Sequence, residues 1–299
     1  MTDSPAHGVL LLDKPLGMSS SQALQRVRHW LGRPRAGHTG ALDPLATGML
    51  PLCFGEATKI AGILLGARKA YRATLQLGIR TDTDDAEGAI VAERPVPPLH
   101  ADTVQCLLQE FVGTHAQQAP VYSALKQQGQ PLYRRARAGE TVQAPVREVS
   151  LYRVELLALQ ATRLSIELEC GSGYYVRALA RDVGERLGCG AHVLALRRTW
   201  VEPFDAQPMH ELAALQSAFA TDGPSAILSR LLPIGVALSG WPQQHLDAQH
   251  AAVISHGGRV PAQGAVGQAL LLDAQGVPLA LAEVEQDQWR VLRGFAWRR

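Results

Sequence analysis

Residues Arg35–Leu50 read RAGHTGALDPLATGML. Gly37, Gly40 and Gly48, with Pro44, make the stretch a poor regular helix, and four of its residues can do chemistry or hold an anion: Arg35, His38, Thr39 and Asp43. A carboxylate set among glycines can be approached closely by a large ligand, because glycine leaves room and tolerates unusual backbone angles. Aspartate can form an ester with a sugar carbon. A hydrolytic glycosidase needs a second carboxylate to protonate the leaving group and activate water, yet the next acid along the chain is Glu56. A lone carboxylate suits a reaction whose leaving group returns instead of being replaced by water. Taken alone, an aspartate followed by proline also reads as a loop cap.

On either side of this loop, strands and helices interleave. GVLLLDKP (8–15) is a short apolar run closed by proline, which predicts a strand. SSSQALQRVRHWLG (19–32) has serines at its start and Ala23, Leu24, Val27, Trp30 and Leu31 at helical spacing, with Gly32 and Pro34 to end it. AYRATLQLGIR alternates as a strand, and the Asp- and Gly-rich TDTDDAEGAI turns into another. DTVQCLLQEFVG reads as a helix, and RLSIELECGSGYYVRALARDVGERLGCG as a strand running into a helix that stops at Gly188–Gly190. The order lacks βαβ regularity, so an α+β domain with a mixed sheet is expected instead of a dinucleotide-binding fold. From Glu202 to Gly240 the chain turns Ala- and Leu-rich and helical. After it, QALLLDAQGVPLALAEVEQDQWRVLRGFA reads as three short strands, and residues from about 240 to 299 as a separate small β module.

With 299 residues, 46% of them hydrophobic and 19% charged, the chain is long enough to bury a sizeable core without disulfides or a structural metal. Cys53, Cys106, Cys170 and Cys189 form no C-x-x-C pair and read as free buried thiols of a reducing compartment. The N-terminus carries an acid where a secretory signal has bases, and no stretch approaches the ~18 apolar residues of a membrane span. A cytoplasmic protein is expected. The net charge of +2 is unevenly spread, with balances of +6, −6, +5 and −3 over residues 1–80, 81–120, 121–200 and 201–299. Two basic blocks, the second including RRARAG at 134–139, would line a phosphate-binding cleft if they met in space.

Several chemistries have no motif here: the phosphate loop, the dinucleotide turn, the H-E-x-x-H metalloprotease helix, the zinc deaminase signature and the G-x-S-x-G elbow. DTDDAEG (82–88) has the acids of a calcium loop but Glu87 where that loop needs glycine, so it reads as an acidic turn. A site without metal or cofactor is expected. In GSGYYVRALARD (171–182), strand alternation would put Tyr175 and Arg177 on one face, where an aromatic ring and a guanidinium could flank a base and keep a carboxylate ionised. Tyr71, in KAYRATL, is an aromatic among bases at the start of a strand.

In this order and at these spacings, GVLLLDKPLGMSS, RAGHTGALDPLATGMLPLCFGEATK, YRATLQLGIRTDTDDAEG, VYSALKQQGQPLYRRARAGE and GYYVRALARDVGERLGCGAHVLALRR resemble the TruB-type pseudouridine synthases over most of residues 8–200. The resemblance implies the pseudouridine synthase fold, α+β with a mixed, largely antiparallel central sheet and flanking helices. It divides the chain into a catalytic domain (1–238), with an RNA-clasping insertion at about 119–147, and a small PUA-like domain (240–299). It also implies isomerisation of uridine to pseudouridine at position 55, in the TΨC arm of transfer RNA, without metal or cofactor. Asp43 falls on the catalytic aspartate, Tyr71 on the tyrosine that stacks on the base, and Arg177 on the arginine that pairs with the aspartate. Tyr175 and Leu196 match pocket positions, His38 the histidine that fills the space of the extruded base, and Lys14 lies in a matching strand with a substrate contact. Arg35, Lys126, Arg134, Arg135 and Arg137 are the candidate backbone contacts. At this level attack of Asp43 at C1′, addition at C6 and removal of the 2′ proton all stay open. The alternative is a non-catalytic tRNA-binding or folding factor using the same cleft. No membrane and no obligate protein partner are implied, and one cleft with its own clasp makes a monomer the expectation.

Overall fold

A computed structural model describes residues 6–297 except Ala124, Gln128 and Thr141, and the backbone alone of Lys126, Pro131, Tyr133 and Arg137. Strand β1 (Gly8–Lys14) leads into helix α1 (Ser20–Trp30), and the short β2 (Ala36–His38) and β3 (Ala46–Phe54) follow. A 3-10 turn (Gly55–Ile60) and α2 (Ala61–Gly66) precede β4 (Lys69–Leu77), and a small hairpin, β5 (Ile79–Thr81) and β6 (Ile90–Glu93), carries the acidic loop. Next come α3 (Ala101–Gln109) and β7 (Gly113–Gln118), then an excursion holding β8 (Lys126–Gln127), β9 (Gln130–Pro131) and α4 (Leu132–Arg137). The chain returns through the long hairpin β10 (Val146–Gln160) and β11 (Arg163–Cys170), α5 (Val176–Arg186) and β12 (Ala191–Val201).

The central sheet runs β13 (His210–Glu211), β1, β3, β12, β4, β11, β10, β7, with β2 added beside β3. The pairs β1–β13 and β3–β12 are parallel and the others antiparallel, which makes the sheet mixed and largely antiparallel. Both faces of β1 are covered, which is why it reads as a continuous apolar run. Leu10 and Leu12 belong to the same core as Val27 of α1, Val104 of α3 and Leu179 of α5. Val9 and Leu11 point into a second core on the opposite face. Helix α1 starts with a capping box: Ser19 accepts from the Gln22 amide at 3.2 Å, and the Gln22 side chain accepts from the Ser19 amide at 2.9 Å.

Beyond α6 (Leu212–Asp222), α7 (Pro224–Leu228) and α8 (Ile234–Ala237), a second sheet of five strands contains β14 (Gln243–His245), β15 (Val260–Pro261), β16 (Gln268–Leu272), β17 (Pro278–Glu285) and β18 (Gln288–Gly294). The strand reading of this region thus holds. Its faces divide by alternation: Leu271, Ala280 and Trp289 pack with Ile254 of α9 (Ala248–Ser255), whereas Leu270, Leu272 and Leu281 join Val9, Leu11 and Met49. The small sheet is therefore bonded to the large one through a shared core. Cys53, Cys170 and Cys189 are buried free thiols as read, but Cys106 is exposed on α3.

Candidate active site

The loop between β2 and β3 is fixed from three sides. The Ser20 hydroxyl, at the first turn of α1, accepts from the Leu42 amide at 2.7 Å and donates to its carbonyl at 3.1 Å. The Pro44 carbonyl accepts from the Gly17 amide at 2.8 Å, and the Ala46 amide closes a turn onto the Asp43 carbonyl at 3.0 Å. Gly40 and Gly48 have φ of +83° and +99°. Gly48 has no substitute: a Cβ there would lie 2.1 Å from the Arg198 carbonyl of β12.

Asp43 is thereby held at the mouth of a cleft of about 300 Å³, opposite Arg177. Arg177 Nε lies 3.0 Å from Asp43 Oδ2. The other two nitrogens of Arg177 are also engaged: Nη1 with the Thr83 carbonyl at 3.0 Å and Asp85 Oδ2 at 3.4 Å, and Nη2 with the Tyr122 carbonyl at 3.0 Å. A buried guanidinium held through all three nitrogens has little freedom to move. Surrounding protein pushes the Asp43 carboxyl above the usual carboxylate range, with Arg177 pulling it back, Asp85 pushing it further up and Lys14 pulling it down. Its side chain keeps 43% exposure through the open mouth, while that of Arg177 keeps 6%.

Tyr71 forms the floor, buried on β4 beside Leu196 and Arg198 of β12. Burial raises its hydroxyl's pKa, and the neighbouring Arg198 guanidinium counteracts this. Tyr175 and Leu196 line the same cleft as Asp43, Tyr71 and Arg177. His38 lies in the adjoining cavity of about 800 Å³, which shares Asp43 and Arg177. Burial, helped by Arg198, lowers the pKa of its ring, and Nδ1 is buried without a hydrogen-bond partner among the described residues.

Three expectations need correction. Tyr175 and Arg177 do not share a strand face: β11 stops at Cys170, Gly173 turns the chain at φ +83°, and Tyr175 is the N-cap of α5. They meet in the cleft because the first turn of a helix, not a pleat, aims them there. Tyr174, which the same alternation would turn to the opposite face, borders the cleft while its ring packs edge-on against His115 at 5.9 Å. Lys14, expected to contact substrate, is buried beneath the loop instead. It has 0% exposure, and its ammonium donates to the carbonyls of Pro15, Met18 and Pro44 at 2.9, 2.5 and 3.5 Å, which pins the Asp43 loop from below. Burial lowers its pKa to about 8, against the attraction of Asp43.

Among the backbone candidates, Arg35 is exposed beside β2. Arg134 and Arg135 lie on α4, where Arg135 bonds Glu140 at 2.7 Å and Gln127 at 3.0 Å. The side chains of Lys126 and Arg137 lie outside the described residues. The sequence reading missed Asp85 and Arg198. Asp85 sits in the stretch read as a plain acidic turn, 2% exposed, accepting from Thr83 Oγ1 at 2.6 Å and the Glu87 amide at 3.1 Å. Arg198 is 1% exposed and bonds the carbonyls of Met49 at 2.6 Å and Gly40 at 3.0 Å, so it ties the loop to the sheet. The two basic blocks do meet, through β3 and β12, but the acidic block supplies a wall of the cleft between them.

Residues 28–176 match the model of the TruB family pseudouridylate synthase N-terminal domain, and residues 177–239 that of the tRNA pseudouridylate synthase B C-terminal domain. A protein of Xanthomonas campestris pv. campestris (strain B100) named tRNA pseudouridine synthase B is 52% identical over 289 residues, 96% of this chain and 93% of its own length. The chain belongs to the TruB family. Proteins of the same name from Xylella fastidiosa (strain Temecula1 / ATCC 700964) and Stutzerimonas stutzeri (strain A1501) are 51% and 44% identical, each over 94% of this TruB chain and 92% of their own. Among solved structures, a Cbf5-Nop10-Gar1 complex matches 97% of this chain and 84% of its own at TM-score 0.74 and 23% identity. An H/ACA RNP bound to a substrate RNA containing 2'-deoxyuridine matches 98% and 86% at TM-score 0.76 and 21% identity. Both share the TruB fold. No helix among the described residues is long and apolar enough to cross a membrane.

Proposed function

We propose that this TruB protein isomerises uridine 55 of transfer RNA to pseudouridine, with Asp43, Tyr71 and Arg177 as its catalytic residues. The observation that carries this reading is the Arg177–Asp43 pair at 3.0 Å over Tyr71, in a cleft large enough for one nucleotide. The N1–C1′ bond breaks, the uracil turns, C5 bonds to C1′, the proton on C5 leaves to solvent, and N1 takes up one in its place. Atoms and charge then balance without added water, electrons or a second substrate. A stacked base is out of reach, so the nucleotide is flipped into the cleft at a cost of about a few kcal/mol. His38, neutral at physiological pH, fills the vacated space and offsets part of that cost. Tyr71 stacks on the uracil and stands at C5, while Tyr175 and Leu196 bound the ring.

Ionised Asp43 is the group required at the sugar, and RNA entering the cleft strips its remaining water. An unpaired carboxylate there would take up a proton. Arg177 opposes this at each stage, because its own bonds leave it nowhere else to go. Residues 1–238 form the catalytic unit, 119–147 clasp the TΨC arm with Arg134 and Arg135 among the contacts, and 240–299 are a PUA-like addition. Phosphate contacts make the affinity fall with salt.

The test is to incubate unmodified tRNA with the purified chain and map pseudouridine by carbodiimide adducts. The expected product is one pseudouridine, at position 55. Free uracil in solution, or tight binding with every uridine unchanged, would contradict the reading, and the second result would favour a folding factor.

A further inference from the structure

Segment 117–122 joins β7 to the insertion, and it is fastened along its length to the start of α5. Gln117, 3% exposed, uses its side-chain amide as a neighbouring strand would use its backbone. Its Nε2 donates to the Tyr175 carbonyl at 3.2 Å, and its Oε1 accepts from the Tyr175 amide at 2.9 Å. One residue on, the Gln118 carbonyl accepts from Arg181 Nη2 at 3.0 Å, and the Tyr122 carbonyl accepts from Arg177 Nη2 at 3.0 Å. The Tyr175 ring also packs on the small apolar cluster of Ala119, Leu132 and Ala144 inside the insertion. Residues 175, 177 and 181 are thus all tied to the root of the clasp.

The geometry points to Gln117 and Arg181 as positioning residues that couple the clasp to the pocket: where the RNA-gripping insertion stands sets where Tyr175 and Arg177 stand against Asp43. This rests on the pseudouridine synthase reading above. Neither side chain lines the cleft. Gln117 acts through Tyr175, which does. Arg181, which also bonds Asp84 at 3.4 Å and Asp182 at 2.8 Å, holds the root of the clasp to α5, the helix that carries Arg177. Without Gln117, the partly buried Tyr175 amide loses its partner and the Tyr175 carbonyl keeps only the Leu179 amide at 3.2 Å, so the first turn of α5 shifts to recover the lost bonds. Displacement of a reacting group by about 1 Å costs on the order of 10²-fold in rate. RNA that seats the clasp would therefore also complete the site.

The test compares Gln117→Leu and Arg181→Met with the intact chain in single-turnover conversion of unmodified tRNA, with tRNA affinity and thermal midpoint measured alongside. Each variant is expected to convert at least about 10-fold more slowly, with affinity within about threefold of the intact chain's. The acid limb of its rate profile moves to higher pH, because Arg177 then shields Asp43 less well. Conversion at the wild-type rate, an acid limb that stays in place, or rate and affinity falling by the same factor would overturn the proposal. If Gln117→Leu does not fold, Arg181→Met, the more exposed of the two, decides alone. An intact chain that makes no pseudouridine contradicts the activity itself, a result distinct from an active chain with unaffected variants.

Discussion

Asp43 is held between two tendencies that its neighbours set. Burial and Asp85 favour the neutral acid, while Arg177 and Lys14 favour the carboxylate. Activity needs the ionised form, so the rate falls as pH drops through a pKa above the usual carboxylate value. Arg177→Met removes the largest of the opposing charges. The acid limb is then expected at higher pH, with kcat/KM lower by on the order of 10² or more, read from rate profiles of the two proteins. Lys14 gives a second pH signature. Its folded pKa is about 8 against 10.5 for the free side chain. Between those values the unfolded chain binds more protons, so this group makes stability rise with pH there, and it contributes no slope below about 8. The urea midpoint is expected to climb less steeply from pH 8 upward in Lys14→Met, and identical slopes would contradict the burial of a charged ammonium. Sequence alone put Asp43 in a glycine-rich loop and Tyr71 at the start of a strand, and both lie there, although the groups that face them, Arg177 and Arg198, come from far along the chain. It could not place Lys14 under the loop, because burial depends on β1 being covered from both sides.

At the scale of elements, the crossing of β3 and β12 sets the loop's position. The parallel pairing puts Gly48 opposite Arg198, the residue whose side chain returns to the carbonyls of Met49 and Gly40. Gly48→Ala drives a Cβ into the Arg198 backbone at a φ of +99°. A loss of more than about 2 kcal/mol, seen as a lowered denaturation midpoint, is expected together with loss of activity. A variant as stable as the parent would show that β12 can give way. The strands and helices around this crossing were legible from alternation, capping serines and glycine stops. The turn at Gly173 was not, because GSGYYVR alternates as well as any strand, and only the start of α5 reveals that the pleat has ended. The acidic stretch is a turn as read, but the part Asp85 plays was missed for a related reason. Asp85 takes its meaning from Arg177, 92 residues away in sequence, and nothing local marks the pair.

Across the whole molecule, the two sheets share one apolar layer. Leu270, Leu272, Leu281 and Phe295 cover Val9, Leu11 and Met49, residues of the strands that support the Asp43 loop. A chain ending at residue 238 would expose that layer. The burial lost is on the order of 5 kcal/mol or more, so a melting point lower by about 10 °C or more, or an insoluble product, is expected. A truncated chain that melts like the parent would contradict the shared core. The tail's strands were readable from the sequence, but this attachment was not, because small alternating strands look the same whether they stand alone or lie on a neighbour.

The central claim is that the chemistry requires Asp43, whereas the grip on the RNA does not. It is tested most directly by single-turnover tritium release from tRNA labelled at C5 of uridine, with Asp43→Asn beside the parent and affinity measured for both. The account requires release from position 55 by the parent, none by the variant, and nearly equal affinities. Release at the parent's rate from Asp43→Asn would contradict it.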